Sequence, residues 1–251
     1  MHLNKFLEKI SRYLQTLISD KYKLDHKFQN KNQITNSNLI LRLLKNKSFD
    51  PEFIVDIGCG HGEWFLKSSK IFDKSFYYLF DANKNNEQKL LKLKNIYNNF
   101  DYKICLLSDD KKNYTFYNMG YGSSIFEEQT SYNRYTEKLT SKLLIDELPE
   151  KLFFKKNNFM KIDVQGSEKK ILDGLKDKIS VFEVIVLEVS LHQYNKSAPL
   201  FDEIFTYMDN SGFRLYDIYD LKRLGNYKNS FLLQFDCVFV RKNSNLLDVT
   251  F

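Results

Sequence analysis

Apolar residues in the first twenty positions fall at Leu3, Phe6, Leu7, Ile10, Leu14, Leu17 and Ile18, the i, i+3, i+4, i+7 spacing of an amphipathic helix. The opposite face mixes Glu8, Lys9, Arg12 and Asp20. That mixture suits capping of a core, or a homodimer contact, better than a membrane surface, where a uniformly basic face is expected. A polar segment, KFQNKNQITNSN at 27–38, precedes a second short helix around Leu39 to Leu44. The pattern predicts a helical extension over 1–48 and one domain over 49–251.

From Glu52 onward short apolar runs alternate with helical spacing. EFIVDIG at 52–58 predicts a strand meeting a glycine loop, GEWFLKSSKIF a helix, and FYYLFDA at 76–82 a second strand. A lysine-rich helix over 84–97 follows, then YKICLLS at 102–108 as a single third strand and YTFYN as an edge strand. After an irregular stretch from Met119 to Tyr135 the series resumes. It gives FMKIDV at 159–164, a helix to Gly174, VFEVIVLEVS at 181–190, a helix over 199–210, FRLYDIYD, and FLLQFDCVFVR at 231–241. β-Rich apolar runs separated by helical patterns predict an α/β fold with a mostly parallel sheet and helices on both faces.

Composition narrows the function classes. A chain of 251 residues that is 43% hydrophobic can bury one sizeable core. The net charge is +6, but only six of the 38 basic residues are Arg and the lysines are scattered. Abundant Asn, Phe and Tyr look like AT-rich coding, and a nucleic-acid surface would cluster Arg and Lys among aromatics. No nucleic-acid partner is expected. Cys59, Cys105 and Cys237 are far apart and odd in number, which predicts a reducing compartment without disulfide or zinc spacing. No secretory pattern and no apolar run near 20 residues is seen, so a cytoplasmic location and no transmembrane segment are expected.

Ligands of open α/β sheets bind beyond the carboxyl ends of the strands. The first strand ends VDIGCGHGEW, placing Asp56, Gly58, Cys59 and Gly60 at a tight turn, with Glu63 where a dinucleotide motif has its third glycine. Acids at 56 and 63 disfavour a pyrophosphate and suit a ligand bearing an amine and a sulfonium. The second strand ends FDAN, so Asp81 can accept hydrogen bonds from ribose hydroxyls, beside Ala82 and Asn83. The third ends LLSDD, offering Ser108 and Asp109 to an adenine edge. Together these predict a site for S-adenosyl-L-methionine.

VDIGCGHGEW, FDAN, LLSDD, GSS at 122–124, KIDVQGSEKKILDG and EVIVLEVS resemble the ordered motifs of the FkbM family of S-adenosylmethionine-dependent methyltransferases, over roughly Phe53 to Arg241. FDAN stands where the family usually has Glu-Pro, and Gln165 where Glu is commoner. The resemblance implies a Rossmann-like class I methyltransferase fold with a seven-stranded sheet. It also implies methyl transfer, usually to a hydroxyl of a sugar, a glycan precursor or a related metabolite. Cofactor contacts are implied for Asp56, Gly58, Gly60, Asp81 and Asp109, with Asp163 at the reactive end.

A base near a hydroxyl acceptor must sit at a strand carboxyl end. Asp163 and Glu188 qualify, and His192 follows just beyond. Asp163 could instead only bind the cofactor, Glu188 could pair with Lys161, and His192 could lie in solvent. Asp163 with Glu188 could hold Mg²⁺, a disfavoured reading because no third carboxylate is fixed by spacing, so no metal is assigned. Glu168, in a first helical turn, is explained by the helix dipole, and Gln165 is a candidate acceptor contact. In the irregular stretch, Tyr121, Tyr132 and Tyr135 could stack on sugar faces, while Ser123, Ser124 and Arg134 could bind hydroxyls or an acidic group. A methyltransferase-fold binding protein that has lost catalysis is the alternative from a different class.

Overall fold

A computed structural model describes residues 37–129, 134–225 and 229–248. The helix expected over 3–18, its dimer role and Tyr132 lie outside the described residues. A seven-stranded sheet forms the centre, built from β1 (Phe53–Ile57), β2 (Phe76–Asp81), β3 (Phe100–Ile104), β7 (Asn158–Ile162), β8 (Phe182–Ser190), β9 (Phe213–Leu224) and β10 (Phe231–Arg241), in the order β3-β2-β1-β7-β8-β10-β9. β4 (Leu106–Ser108), β5 (Asn113–Asn118) and β6 (Tyr135–Leu143) make a smaller sheet, ordered β4-β6-β5.

Every residue of β1 and β7 is buried, so both faces of the centre are covered, as continuous apolar runs require. Parallel pairing joins β3, β2, β1, β7 and β8, whereas β10 runs antiparallel to both β8 and β9. The start of β10 therefore meets the end of β8, with Gln234 opposite Ser190 and Asp236 opposite Glu188. The helix Ser37–Asn46, assigned from sequence to the extension, buries Ile40, Leu41 and Leu44 completely, beside helix Glu63–Ser68 and β9.

One expectation about the strands changes. The run 102–108 is not one strand: the amide of Cys105 still donates to Asp81 O at 2.8 Å, but Leu106 to Ser108 turn away to pair with β6. An unbroken apolar run cannot reveal a change of partner. The helix expected to run to Gly174 spans Glu168–Asp173 and is capped by Gly174, whose φ of −67° is right-handed. Position 174 is glycine because a Cβ there would lie 2.5 Å from Ser108 O. No helix among the described residues is long and apolar enough to cross a membrane.

Candidate functional site

The carboxyl ends of β1, β2 and β7 surround two adjoining cavities. The first, about 390 Å³, is walled by the glycine turn, Phe80, Asp81, Ala82, Cys105, Leu106 and Leu107, the segment Gly120–Ile125, and Asp163 to Gln165. The second, about 370 Å³, is lined by Asp56, Cys59, Glu63, Trp64, Lys67, Lys161, Asp220 and Asp236. Gly58, Gly60, Tyr121, Asp163 and Lys222 line both, so these five residues mark the passage between them.

The glycine turn is shaped by close packing. Gly58 has φ +76°, and a Cβ there would stand 1.9 Å from the carbonyl oxygen of Asp163. The turn thus locks onto the end of β7, where Asp163 N donates to Ile57 O at 2.9 Å. Asp81 anchors the other side, accepting from Gly60 N at 2.8 Å and Asn83 N at 2.7 Å. Each carboxylate oxygen of Asp81 retains acceptor capacity toward the cavity.

Asp56 is fully buried, and neither carboxylate oxygen has a hydrogen-bond partner. Burial pushes its carboxyl up to about 7, against the pull of Lys161. An orphaned buried acid costs free energy until a donor reaches it, and an ammonium meets that need. Glu63 closes the turn from outside: its carboxylate accepts from His61 N at 3.1 Å and from the Tyr121 hydroxyl at 2.9 Å.

At the far end, Asp163, Gln165 and Glu188 come together. Lys161 donates to Asp163 Oδ2 at 2.9 Å, and Gln165 Nε2 donates to Asp163 Oδ1 at 3.2 Å and also to Glu188. Burial alone would raise the Asp163 carboxyl, but Lys161 and then Lys222 hold it below the usual range. Glu188 moves the opposite way, raised by burial and by the Asp163 charge despite Lys222. Its lysine partner is Lys222 rather than Lys161. Gln165, at φ +57°, is held by Tyr194 and Gln234 through Oε1 and by Asn195 Nδ2 through its carbonyl at 2.8 Å.

The acid at 168 does more than meet a helix dipole. Its buried carboxylate turns back to accept from Val164 N at 3.2 Å and Gly166 N at 3.1 Å, which fixes the loop carrying Gln165. Ser124, also buried, donates to Gln165 O at 2.8 Å. Ser123 closes its own turn onto Gly120 O at 2.7 Å.

Other predicted residues stand elsewhere. Ser108 donates to Asp109, and Asp109 pairs with Lys170 at 3.1 Å; neither lines the two cavities described, and the apolar wall of the first comes from Leu106 and Leu107 instead. Asn83 turns to Asn118 and accepts from Asn85 N, leaving Ala82 on the wall. His192 is exposed, edge-on to Phe231 at 4.9 Å between ring centroids. Arg134 pairs with Glu127 at 2.6 Å, and the Tyr135 hydroxyl receives Asn85 and Asn118. Lys222, Tyr194, Gln234 and Asp236 were not singled out from sequence, although Gln234 and Asp236 interrupt an apolar strand, which is the mark of a buried polar contact. Among the described residues no three His, Cys, Asp or Glu converge as metal ligands.

A model of the methyltransferase FkbM domain matches residues 56–215, more than half of the chain. The chain belongs to the FkbM methyltransferase family. This methyltransferase uses S-adenosylmethionine, and its residues fit that donor: the orphaned Asp56 suits the ammonium, Asp81 the ribose, and Phe80, Leu106 and Leu107 an adenine ring. No curated protein matches its sequence.

Solved structures of similar fold include precorrin-6y C5,15-methyltransferase from Geobacter metallireducens, with 12% identity, coverage of 84% of this chain and 92% of that one, and a TM-score of 0.43. A putative RNA methyltransferase from Pyrococcus horikoshii has 10% identity, 84% and 87% coverage, and a TM-score of 0.44. An S-adenosylmethionine-dependent methyltransferase from Aquifex aeolicus has 12% identity, 80% and 88% coverage, and a TM-score of 0.41.

Proposed function

We propose that this methyltransferase is an O-methyltransferase acting on a hydroxyl of a sugar, a surface-glycan precursor or a related small metabolite. The observation that carries the reading is the carboxylate of Asp163, which lines both cavities and is kept ionised by two lysines. When bound, the donor supplies a methyl group already activated on a sulfonium sulfur. The chain's task is then to hold an acceptor oxygen in line and remove its proton.

Asp163 is suited to receive that proton, because Lys161 and Gln165 fix both of its oxygens. Glu188 stands behind Gln165 with its carboxyl raised, so burial and charge push two neighbouring acids in opposite directions, a common division at acid–base sites. Ser123, Ser124, Tyr121 and Gln165 give the entrance a hydrogen-bonding wall that suits a polyol. The chain also lacks the Pro-Pro-Tyr, Pro-Pro-Phe and Pro-Cys strings of base-modifying methyltransferases.

The test is incubation with methyl-labelled donor and a panel of nucleotide sugars and capsule or lipopolysaccharide oligosaccharides. Alkali-stable label in a sugar is the expected result. Label released by mild base would instead reveal carboxyl esterification, and label in RNA alone would refute the acceptor class.

A further inference from the structure

We propose that Lys222 holds the carboxylate at the amino-acid end of the methyl donor, leaving Glu188 to do so. This assignment rests on the donor identified above but not on the acceptor. The second cavity has more acid than base: Asp56, Glu63, Asp163, Asp220 and Asp236 face Lys67, Lys161 and Lys222. Such walls welcome an ammonium and a sulfonium, yet they repel the carboxylate that arrives with them. That anion needs a cation of its own.

Two of the three lysines are poorly placed. Lys161 is 7% exposed, lies 2.9 Å from Asp163 and stands beside Asp56 across the β1–β7 ladder, so it is already shared among acids. Lys67 is exposed on the last turn of helix Glu63–Ser68 and lines only the second cavity. Lys222 is the one lysine of the described residues that lines both cavities, together with Gly58, Gly60 and Asp163.

Lys222 can also change partners. Its side chain is 52% exposed, while that of its partner Glu188 is 1% exposed. Glu188 keeps Gln234 Nε2 at 3.0 Å and Gln165 Nε2, both on Oε2, after the lysine departs, while Oε1 gives up its lysine, so the exchange sets one ion pair gained against one lost. The strand is bent to aim this residue. Lys222 pairs with Gln234, and the β9–β10 register shifts on both sides of Gln234. Asp220, two residues earlier, has φ +47°. Bulges of this kind redirect side chains beside active sites.

Calorimetric titration of the full chain with S-adenosylhomocysteine and with methylthioadenosine, which lacks the amino-acid end, isolates the contact. Lys222→Met should weaken S-adenosylhomocysteine by about tenfold to a hundredfold, the range for a hydrogen bond to a charged group, while methylthioadenosine holds within about twofold. Lys222→Arg should recover most of the loss, and Lys67→Met should lose little. Retained methylthioadenosine binding shows that the variant is folded.

Equal weakening of both ligands, no weakening of either, or a loss that follows Lys67 would overturn the assignment to Lys222 and leave the donor untouched. A wild-type protein that binds neither ligand would overturn the donor itself, and this proposal with it.

Discussion

Replacing Gly58 by Ala isolates the contact that joins the glycine turn to the end of β7. The new Cβ would stand 1.9 Å from the Asp163 carbonyl oxygen and 2.8 Å from its carbonyl carbon, so one backbone must retreat by about 1 Å. Three costs combine: roughly 1–2 kcal/mol for a side chain in the left-handed region, about 1 kcal/mol for the Asp163 N to Ile57 O bond, and roughly 1–3 kcal/mol for overpacking. A total near 4 kcal/mol corresponds to about 8–16 °C in melting temperature for a chain of this size.

Gly120→Ala is the control. It has φ +72° with nothing within 4 Å of a Cβ, so only the backbone strain remains, about 1–2 kcal/mol. Urea denaturation followed by circular dichroism measures both variants. Equal losses at positions 58 and 120 would refute the claim that close approach to Asp163, and not backbone conformation alone, makes Gly58 a glycine.

Asp56→Asn should raise stability above pH 7 and flatten its pH dependence. The folded carboxyl, at about 7, lies above its ordinary value of 3.8, so its contribution is complete below that ordinary value and is lost as pH rises through 7. The same variant should weaken S-adenosylhomocysteine, and an unchanged slope of stability against pH in the donor-free protein would contradict the reading. Asp81→Ala should cost at least tenfold in S-adenosylhomocysteine affinity by titration, since it removes a ribose acceptor and also frees Gly60 N and Asn83 N. Asp163→Asn should lower turnover by roughly 10²–10⁴-fold if it takes the acceptor proton, whereas His192→Ala should leave it within about twofold; comparable losses would return His192 to the reaction. Glu168→Gln, which keeps an acceptor oxygen for Val164 N and Gly166 N, should lose far less turnover than Asp163→Asn, and equal losses would show that the two acids share the chemistry.

The strands of the main sheet were legible because buried parallel strands need continuous apolar runs, as in FIVDI and FEVIVLEVS. β6 was not. Its sequence, YTEKLTSKL, buries only Ser141, so no apolar stripe marks it and its pairing is set by β4 and β5. Three acids that line the cavities, Asp56, Asp81 and Asp163, were readable from strand carboxyl ends.

The polar cluster around Asp163 was only half readable for a topological reason. β10 runs backwards, so its first residues, Gln234 and Asp236, arrive beside the ends of parallel strands, where a rule about carboxyl ends does not look. Lys222 obeys that rule, but β9 extends to Leu224, beyond the apolar pattern that ends at Asp220. The wall of the first cavity is built from Leu106 and Leu107, and not from Ser108 and Asp109, because the strand changes sheets at Cys105.

The small sheet ties together two walls that could have been independent. β4 carries Leu106 and Leu107 on one wall of the first cavity, β5 leads directly into the turn whose Ser124, on another wall, is bonded to Tyr117 and Gln165, and β6 pairs with both strands. A chimera that imports only residues 119–125 from a relative with another acceptor would leave the new loop on a foreign plate and disturb donor affinity as well. The smallest transplantable unit for retargeting this enzyme is therefore the whole β4–β6 segment, with donor affinity measured afterwards as the sign that it has seated.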